Sequence, residues 1–407
     1  MIDVLVIGGG PAGLAAATRL RALGVSNVVV VERETHAGGI PRHSAHTGYG
    51  LRDRRRVMTG PAYARAIAEE ALSAGADVRT NTMVTGWSEA GNALVTSPVG
   101  REELHANAIV LATGARERPR SARLVPGDRP DGVFTTGLLQ QLVHLHHQQV
   151  GTRAVVVGAE LVSWSAVMTL RECGCDVVTM TTEYDRPEVY RAVSLAGSVL
   201  APVMRRARVS RVIGHRRVEA VELEHLDSGK RRVVECDTVV FTGDWIPENE
   251  LARTRGVNLD VGSLGPVIDA GLRTSEPGVF AIGNLVHPVD TADVAALDGR
   301  HVAERVLAHL AGEQVPTPAI PIEAEPPFTW IAPSRFRPGD VRAARNRALL
   351  WSVEARRLPR VEVSQDGRVL ANRVLGWPLS PGRVFRIPWT MFSGARADAG
   401  GIRVRLK

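Results

Sequence analysis

Two stretches of this chain share one hydrophobic pattern: a short run of successive apolar residues, a turn opened by glycine, an Ala- and Leu-rich segment, and a second apolar run. The first copy reads Ile2–Ile7, then Gly8-Gly9-Gly10-Pro11-Ala12-Gly13, then a segment through Leu23, then Val28–Val31. The second reads Arg153–Val157, then Gly158-Ala159-Glu160-Leu161-Val162-Ser163, then a segment to about Arg171, then Asp176–Met180. Apolar residues on consecutive rather than alternate positions predict strands buried on both faces, as in a parallel sheet with helical crossovers. Between the copies the pattern predicts a helix over Pro61–Gly75, short alternating strands over Val78–Val95, and an apolar strand Ala108–Thr113 ending in Gly114. A Pro-rich crossover at Arg118–Asp131 follows the first copy. After the second copy come an apolar strand at Thr238–Thr242, a Gly278–Asn284 block, and a helix from Asp293 to Leu310. Residues 313–407 are Pro-rich at first and then read as short strands around Asp366-Gly367 and Asp398–Gly401.

The first turn carries chemistry. In Gly8-x-Gly10-x-x-Gly13 the first glycine permits the tight turn, the second lets backbone approach a pyrophosphate, and the third allows close packing of helix on strand. The helix N-terminus, opened by Pro11 and Ala12, offers unpaired N–H groups and positive dipole to the phosphates. Glu32, closing the second strand, is placed to accept from a ribose diol. Strand, turn, helix, second strand and acid together predict dinucleotide binding. The second turn places Glu160 where the middle glycine should be, so a side chain and a charge stand where a pyrophosphate must approach backbone. NAD(P) is therefore the less expected ligand there.

The fold predicted is α/β, with two nested Rossmann-like domains. Residues 1–117 and 244–312 form the first, discontinuous domain. Residues 118–243 form a second with a degenerate fingerprint, and 313–407 a linker and small β-rich domain. A chain of 407 residues is too long for one core. No apolar run reaches the length of a membrane span, and no signal peptide is visible, so a cytoplasmic location is expected.

The net charge of +7 and pI near 10.0 would suit nucleic acid, but the arginines are scattered and only 4% of residues are aromatic, so no stacking platform accompanies them. Only Lys230 and Lys407 are lysines, and Lys230 falls in a predicted hairpin turn, Asp227–Lys230, so Schiff-base chemistry is not expected. The three cysteines, Cys173, Cys175 and Cys236, include no C-x-x-C that could relay a dithiol. Cys173 and Cys175 flank a Gly174 helix stop. His144, His146 and His147 fall on a predicted helix, where 144 and 147 would share a face, and are read as a polar face rather than a metal site. Four of the seven tryptophans lie in the last segment and are expected in its core.

Over residues 1–312 these motifs resemble the two-dinucleotide-binding-domain flavoproteins, the superfamily of thioredoxin and glutathione reductases. Val125-Pro126-Gly127, Gly132-Val133-Phe134-Thr135-Thr136-Gly137 with Gln140, and Gly283-Asn284 with Pro288 are similar to the FAD subunits of heteromeric amine and amino-acid dehydrogenases. Hydrogen cyanide synthase, opine oxidase and the oxidoreductases encoded beside anaerobic glycerol-3-phosphate dehydrogenase are of this kind. The resemblance implies FAD held by Gly8, Gly10, Pro11, Ala12, Gly13, Glu32, Arg33, Gly39, Thr113, Gly114, Gly283 and Asn284, the last standing where relatives usually have Asp. It implies an oligomer, and electrons passed to oxygen, to a quinone, or to a partner dehydrogenase or electron-carrier protein. No cysteine follows Cys236, where many relatives carry cluster ligands, so an Fe–S cluster is not expected.

Residues after the two cofactor turns are the candidates for contact with the flavin ring and substrate. These are Arg42, His43, Ser44 and His46, and His287, Asp290 and Asp293. Oxidation of an amine or hydroxy acid needs a group that accepts a proton and a cation for a carboxylate. His43, His46 and His287 are base candidates and Arg42 the anchor candidate. The alternative is that these residues bond cofactor or backbone without touching substrate. The activity expected is oxidation of a C–N or C–OH bond of a small amino acid, amine or hydroxy acid. The alternatives are an NAD(P)H-dependent flavin reductase and an electron-relay subunit.

Overall fold

A computed structural model describes residues 1–189 and 201–407. The chain divides into two compact units: residues 1–42, 47–115 and 247–407 in the first, and residues 43–46 and 116–246 in the second.

The first unit is centred on a five-stranded parallel sheet, in the order Val279–Ala281, Ala106–Leu111, Ile2–Ile7, Val28–Val31, Asp77–Arg79. Val28–Val31 is buried at every position, which is why it reads as an unbroken apolar run: both faces of the sheet are covered and β-branched side chains fit the pleat. The helix Pro11–Ala22 lies close against the helix Ala292–Leu310. A Cβ on Gly299 would collide with the carbonyl of Ala12, so the helices cross backbone to backbone at that point. The helix Gly60–Ser73 follows the hairpin Thr47–Tyr49 with Met58–Thr59, and the strands Met83–Trp87, Ala93–Ser97 and Gly100–Leu104 form an antiparallel sheet.

Residues beyond 313 build a five-stranded sheet (Arg335–Phe336, Ile320–Ala324, Ile402–Leu406, Arg360–Gln365, Arg368–Val374) and a three-stranded one (Phe328–Ala332, Arg347–Ser352, Phe385–Pro388). Asp366-Gly367 is the turn of a hairpin, as the pattern predicted. Trp330 and Trp389 are buried, Trp330 stacks on Trp351, and only Trp377 is substantially exposed. Four arginine–carboxylate pairs join this β-rich part to the rest of the unit: Arg273 with Asp340 at 2.7 Å, Arg337 with Asp269 at 2.8 Å, Arg345 with Asp298, and Arg386 with Asp290.

The second unit repeats the plan. Its parallel sheet runs Val133–Thr135, Thr238–Phe241, Arg153–Val157, Asp176–Thr181, Val203–Met204, with the glycine-turn strand again in the middle. The helix Leu161–Glu172 follows that strand and ends before Gly174, whose φ of +77° explains the stop between the two cysteines. An antiparallel sheet of Ala207–Gly214, Val218–His225 and Arg231–Glu235 completes it, with Lys230 in the hairpin turn. One expectation fails here. The α-helix from Thr136 ends at Gln140 and continues as one π-turn, Gln141–Leu145, so His146 and His147 lie beyond the helix and His144 shares no face with His147. His144 instead meets Thr169 Oγ1 at 3.3 Å. Among the described residues no cluster of His, Cys, Asp or Glu has the arrangement of a metal site, and no helix is long and apolar enough to cross a membrane.

Candidate functional site

The glycine turn of the first unit is shaped by what its missing side chains would strike. A Cβ on Gly8, at φ +113°, would collide with the Ala112 carbonyl, and one on Gly13 with the Gly8 carbonyl. Both glycines are therefore required by the fold itself. Gly10 differs, because a Cβ there would find Gly39 Cα at 3.9 Å and nothing closer. The space beside Gly10 is open, and Gly39 faces it at φ +63°. Gly10 also supplies no side chain to cap the helix, Pro11 occupies its first turn, and no acidic residue stands there, so the N–H groups of the opening turn keep their capacity for an anion.

Glu32 is buried, and both its oxygens are engaged: Gly9 N–H donates to Oε2 at 2.9 Å and Glu34 N–H to Oε1 at 2.9 Å. The carboxylate thus braces the turn, and each oxygen keeps lone pairs for a diol. Arg33 is exposed and lies near Glu34 at 4.0 Å. Thr113 Oγ1 donates to the Glu248 carbonyl at 2.7 Å, and Gly114, at φ +78°, has open space where a Cβ would stand. These features fit a dinucleotide pyrophosphate and ribose, and FAD is the dinucleotide that the resemblance implied.

The segment Gly283–Leu285 closes toward the same turn, since a Cβ on Gly283 would meet Ala12 Cβ at 2.8 Å. Asn284 does not stand free in a charge's place. Its Nδ2 donates to the Asp290 carbonyl at 3.1 Å and its Oδ1 accepts from Asp290 N–H at 3.0 Å, so it ties the loop 284–290 to itself. Asp290 is in turn held by the Arg386 guanidinium, and Asp293 by Arg52, whose N–H donates to it at 2.9 Å. Both acids are committed to ion pairs, which makes them parts of the loop's framework.

His287 is 2% exposed, and its Nε2 lies 2.5 Å from Asp298 Oδ2. The Arg345 guanidinium bonds the other oxygen of Asp298. Burial alone would raise the Asp298 carboxyl, but Arg345 and His287 outweigh it and hold it well below the usual carboxylate range. His287 Nδ1 is buried and has no hydrogen-bond partner within the protein. Arg42 donates to the His36 carbonyl at 2.9 Å.

His43, Ser44 and His46 belong to the second unit. Ser44 Oγ and His46 Nε2 are 2.9 Å apart, and Gln140 donates to Ser165 Oγ at 2.7 Å. Among the base candidates, His287 in the first unit is oriented by a carboxylate, and His46 meets a hydroxyl.

At the second glycine turn the Glu160 carboxyl lies directly over Gly243, since a Cβ on that glycine would overlap Glu160 Oε1; burial favours its neutral form, so the side chain stands there as expected but the expected charge does not at neutral pH. Ser163 Oγ accepts from Glu160 N–H at 3.1 Å and lies 2.6 Å from Thr242 Oγ1, so the third fingerprint position also serves the turn itself. Burial, helped by the nearby Glu188 and Glu117 carboxyls, pushes Glu160 up to about 8, and burial pushes Glu188 up to about 7. All three cysteines are free thiols; burial raises Cys175 to about 12 and Cys236 to about 11, which leaves them poor nucleophiles.

Sequence reasoning missed Asp298, Arg345 and Arg386. Asp298 lies inside a regular helix pattern, and both arginines come from a segment with no motif; neither carries a local signal of its partner.

Two Rossmann-like folds, the first with open space beside Gly10 and the second with Glu160 over Gly243, are the architecture that nucleotide-binding flavoprotein oxidoreductases share. The chain belongs to the pyridine nucleotide-disulphide oxidoreductase family, whose pattern matches residues 2–299. It is similar to an opine oxidase subunit of Agrobacterium tumefaciens, at 27% identity over 76% of this chain and 66% of that protein. It is similar as well to the ferredoxin–NADP reductase of Ignicoccus hospitalis, at 24% identity over 74% of this chain and 95% of that one. The chain therefore spans about two thirds of the length of the opine oxidase protein. In fold it is similar to Lactococcus lactis thioredoxin reductase, with a TM-score of 0.64, 18% identity, and coverage of 77% of this chain and all of that one.

Proposed function

We propose that this protein binds FAD between its first glycine turn and the Gly283–Asn284 segment, and oxidises a C–N or C–OH bond of a small amino acid, amine or hydroxy acid. The observation that carries the reading is the contrast between the cradles: open space beside Gly10 in the first, the Glu160 carboxyl seated over Gly243 in the second. On this reading the first would take a dinucleotide, and Glu160 would hinder a pyrophosphate at the second. Residues 1–117 and 244–312 would hold the cofactor, with Gly8, Gly10, Gly13 and Glu32 at its phosphates and ribose and Asn284 shaping the closing loop.

FAD, when bound, would supply the hydride acceptor for this oxidation. A histidine among His43, His46 and His287 would take the substrate's N–H or O–H proton, and Arg42 would keep donors for a substrate carboxylate. The likeness to an opine oxidase subunit supports both the substrate class and a hetero-oligomer in which electrons pass to a partner protein. The likeness to a ferredoxin–NADP reductase over nearly its whole length supports the second reading, an NAD(P)H-dependent flavin reductase serving a carrier protein.

Anaerobic visible spectroscopy of the flavin-loaded protein separates them. Addition of NADH or NADPH is expected to leave the flavin band unchanged, and one member of a panel of amino acids, amines and hydroxy acids to bleach it. Rapid bleaching by a pyridine nucleotide would refute the reading of Glu160 and favour the reductase.

A further inference from the structure

Building on the FAD site proposed above, we infer that Arg386, on the β-rich part of the chain, is a positioning residue for the cofactor-closing loop 284–290, so that FAD binding and the packing of that part favour each other.

Arg386 stands on the strand Phe385–Pro388, between Phe385 and Ile387, which are both buried. Alternation along the strand sends those two side chains into the core and the guanidinium to the other face. The backbone is fixed there: Arg386 pairs with Leu349 in the three-stranded sheet, and the Trp377 indole N–H donates to its carbonyl at 2.9 Å. From this rigid element the guanidinium bonds the Asp290 carboxylate, which is 9% exposed and also accepts from Thr291 N–H at 2.8 Å. A buried carboxylate is stable only where a cation meets it, and taking that cation away leaves an uncompensated charge. Arg386 therefore decides where Asp290 can sit.

Asp290 passes the constraint to the cofactor side of the loop. Its N–H donates to Asn284 Oδ1 at 3.0 Å, and its carbonyl accepts from Asn284 Nδ2 at 3.1 Å. A side-chain amide carries its donor and its acceptor on separate atoms, whereas an ionised aspartate at 284 could accept the first bond and not donate the second. Asn284 follows Gly283, where a Cβ would stand 2.8 Å from Ala12 Cβ in the first glycine turn. Arg386, Asp290, Asn284 and Gly283 thus make one continuous set of contacts from the β-rich part to the cradle. A second arginine of that part ties the same loop, since Arg345 bonds Asp298, whose other oxygen lies 2.5 Å from His287 Nε2. Without the Arg386 ion pair the loop is not held in one arrangement, and ordering it becomes part of binding, which weakens affinity. By linkage, a bound cofactor holds the loop and, through it, the strand that carries Arg386.

The test is amide hydrogen exchange of the full chain, with and without FAD, paired with FAD titration of flavin-free protein by fluorescence quenching. In flavin-free Arg386→Gln, exchange over 284–291 should quicken while that over Ile2–Ile7 stays as in wild type, and FAD affinity should fall about 5- to 150-fold. Arg386→Lys, which keeps the charge, should recover part of the affinity. FAD should slow exchange over Phe385–Pro388 in wild type and not in Arg386→Gln. Arg337→Gln, which breaks the pair with Asp269 instead, should lower the melting temperature and leave FAD affinity near that of wild type. If Arg386→Gln does not fold, Asp290→Asn, which removes the charge at constant shape, carries the same readouts. Equal FAD affinity in wild type and Arg386→Gln overturns the inference, as does an equal loss in Arg337→Gln, which would assign the effect to packing of the β-rich part at large. A wild-type protein that takes up no FAD refutes the proposed function and the inference together, so the wild-type titration tells the two failures apart.

Discussion

Gly10→Ala separates what the first glycine turn does for the fold from what it does for the cofactor. The added Cβ meets Gly39 Cα at 3.9 Å, ordinary contact, and Gly10 sits at φ −85°, ψ −174°, a conformation that any residue adopts. Loss of chain freedom in the unfolded state stabilises by about 0.4–1 kcal/mol, while alanine is a poorer N-cap than glycine by a few tenths or more. The two nearly cancel, so flavin-free protein should melt within roughly 2–4 °C of wild type. The cofactor feels the methyl differently. A phosphate hydrogen-bonded to this turn must lie in the space that the methyl takes, and overpacking of that kind costs about 1–3 kcal/mol, which weakens FAD about 5- to 150-fold. Gly13→Ala is the control, since its Cβ would strike the Gly8 carbonyl and crowd Val6 Cγ1 at 3.0 Å; it should lose both stability and flavin. Thermal melts of stripped protein, paired with FAD titration by fluorescence quenching, give both numbers. Wild-type FAD affinity in Gly10→Ala would mean that the pyrophosphate does not cross this backbone, and a melt as low as that of Gly13→Ala would mean that the space is not open.

Glu160→Gly empties the ground over Gly243, and NADH or NADPH should then bleach the flavin at a rate above wild type in anaerobic spectra; equal rates in both proteins would show that Glu160 is no barrier. Glu160 and Glu188 are raised from 4.5 to about 8 and about 7, so the folded second unit holds more protons than the unfolded chain between those values. Their contribution is present below the usual glutamate range and is lost as pH rises through 7 and 8. Melting temperature should therefore fall from about pH 4.5 to about pH 8, and less steeply in Glu160→Gln; an identical slope in the variant would refute the assignment. Asp269 is buried between Arg273 and Arg337, 3.1 and 2.8 Å away, and Asp269→Ala leaves both cations without it. Urea unfolding of the first unit should show a loss of about 3–5 kcal/mol, and a loss below about 1 kcal/mol would show that Asp340 suffices.

Local order carried the parallel strands and the first cradle into view. Val28–Val31 and Ile2–Ile7 announce burial on both faces because each residue contributes one side chain to a fixed face of the pleat, and the spacing of Gly8, Gly10 and Gly13 is set by a single turn of backbone. The place of Glu160 at the middle fingerprint position was legible for the same reason, since the fingerprint compares positions within six residues of chain. The helix read through His144, His146 and His147 was not, because a π-turn depends on how Gln141–Leu145 are packed and not on any residue that marks it.

The base candidates show where sequence stops. His43, His46 and His287 looked alike as imidazoles on glycine-adjacent loops, and only the fold distinguishes a histidine held by Asp298 from one held by Ser44. Asp298 lies eleven residues from His287, on the far side of a helix start, and Arg345 and Arg386 reach their carboxylates from 47 and 96 residues away. The sequence by itself determined the strands, the glycine turns and the class of ligand, since these rest on periodicity and on steric demands within a few residues. Which charges meet and which carboxylate faces which imidazole were decided by tertiary structure, because pairing over such separations follows from the path of the whole chain.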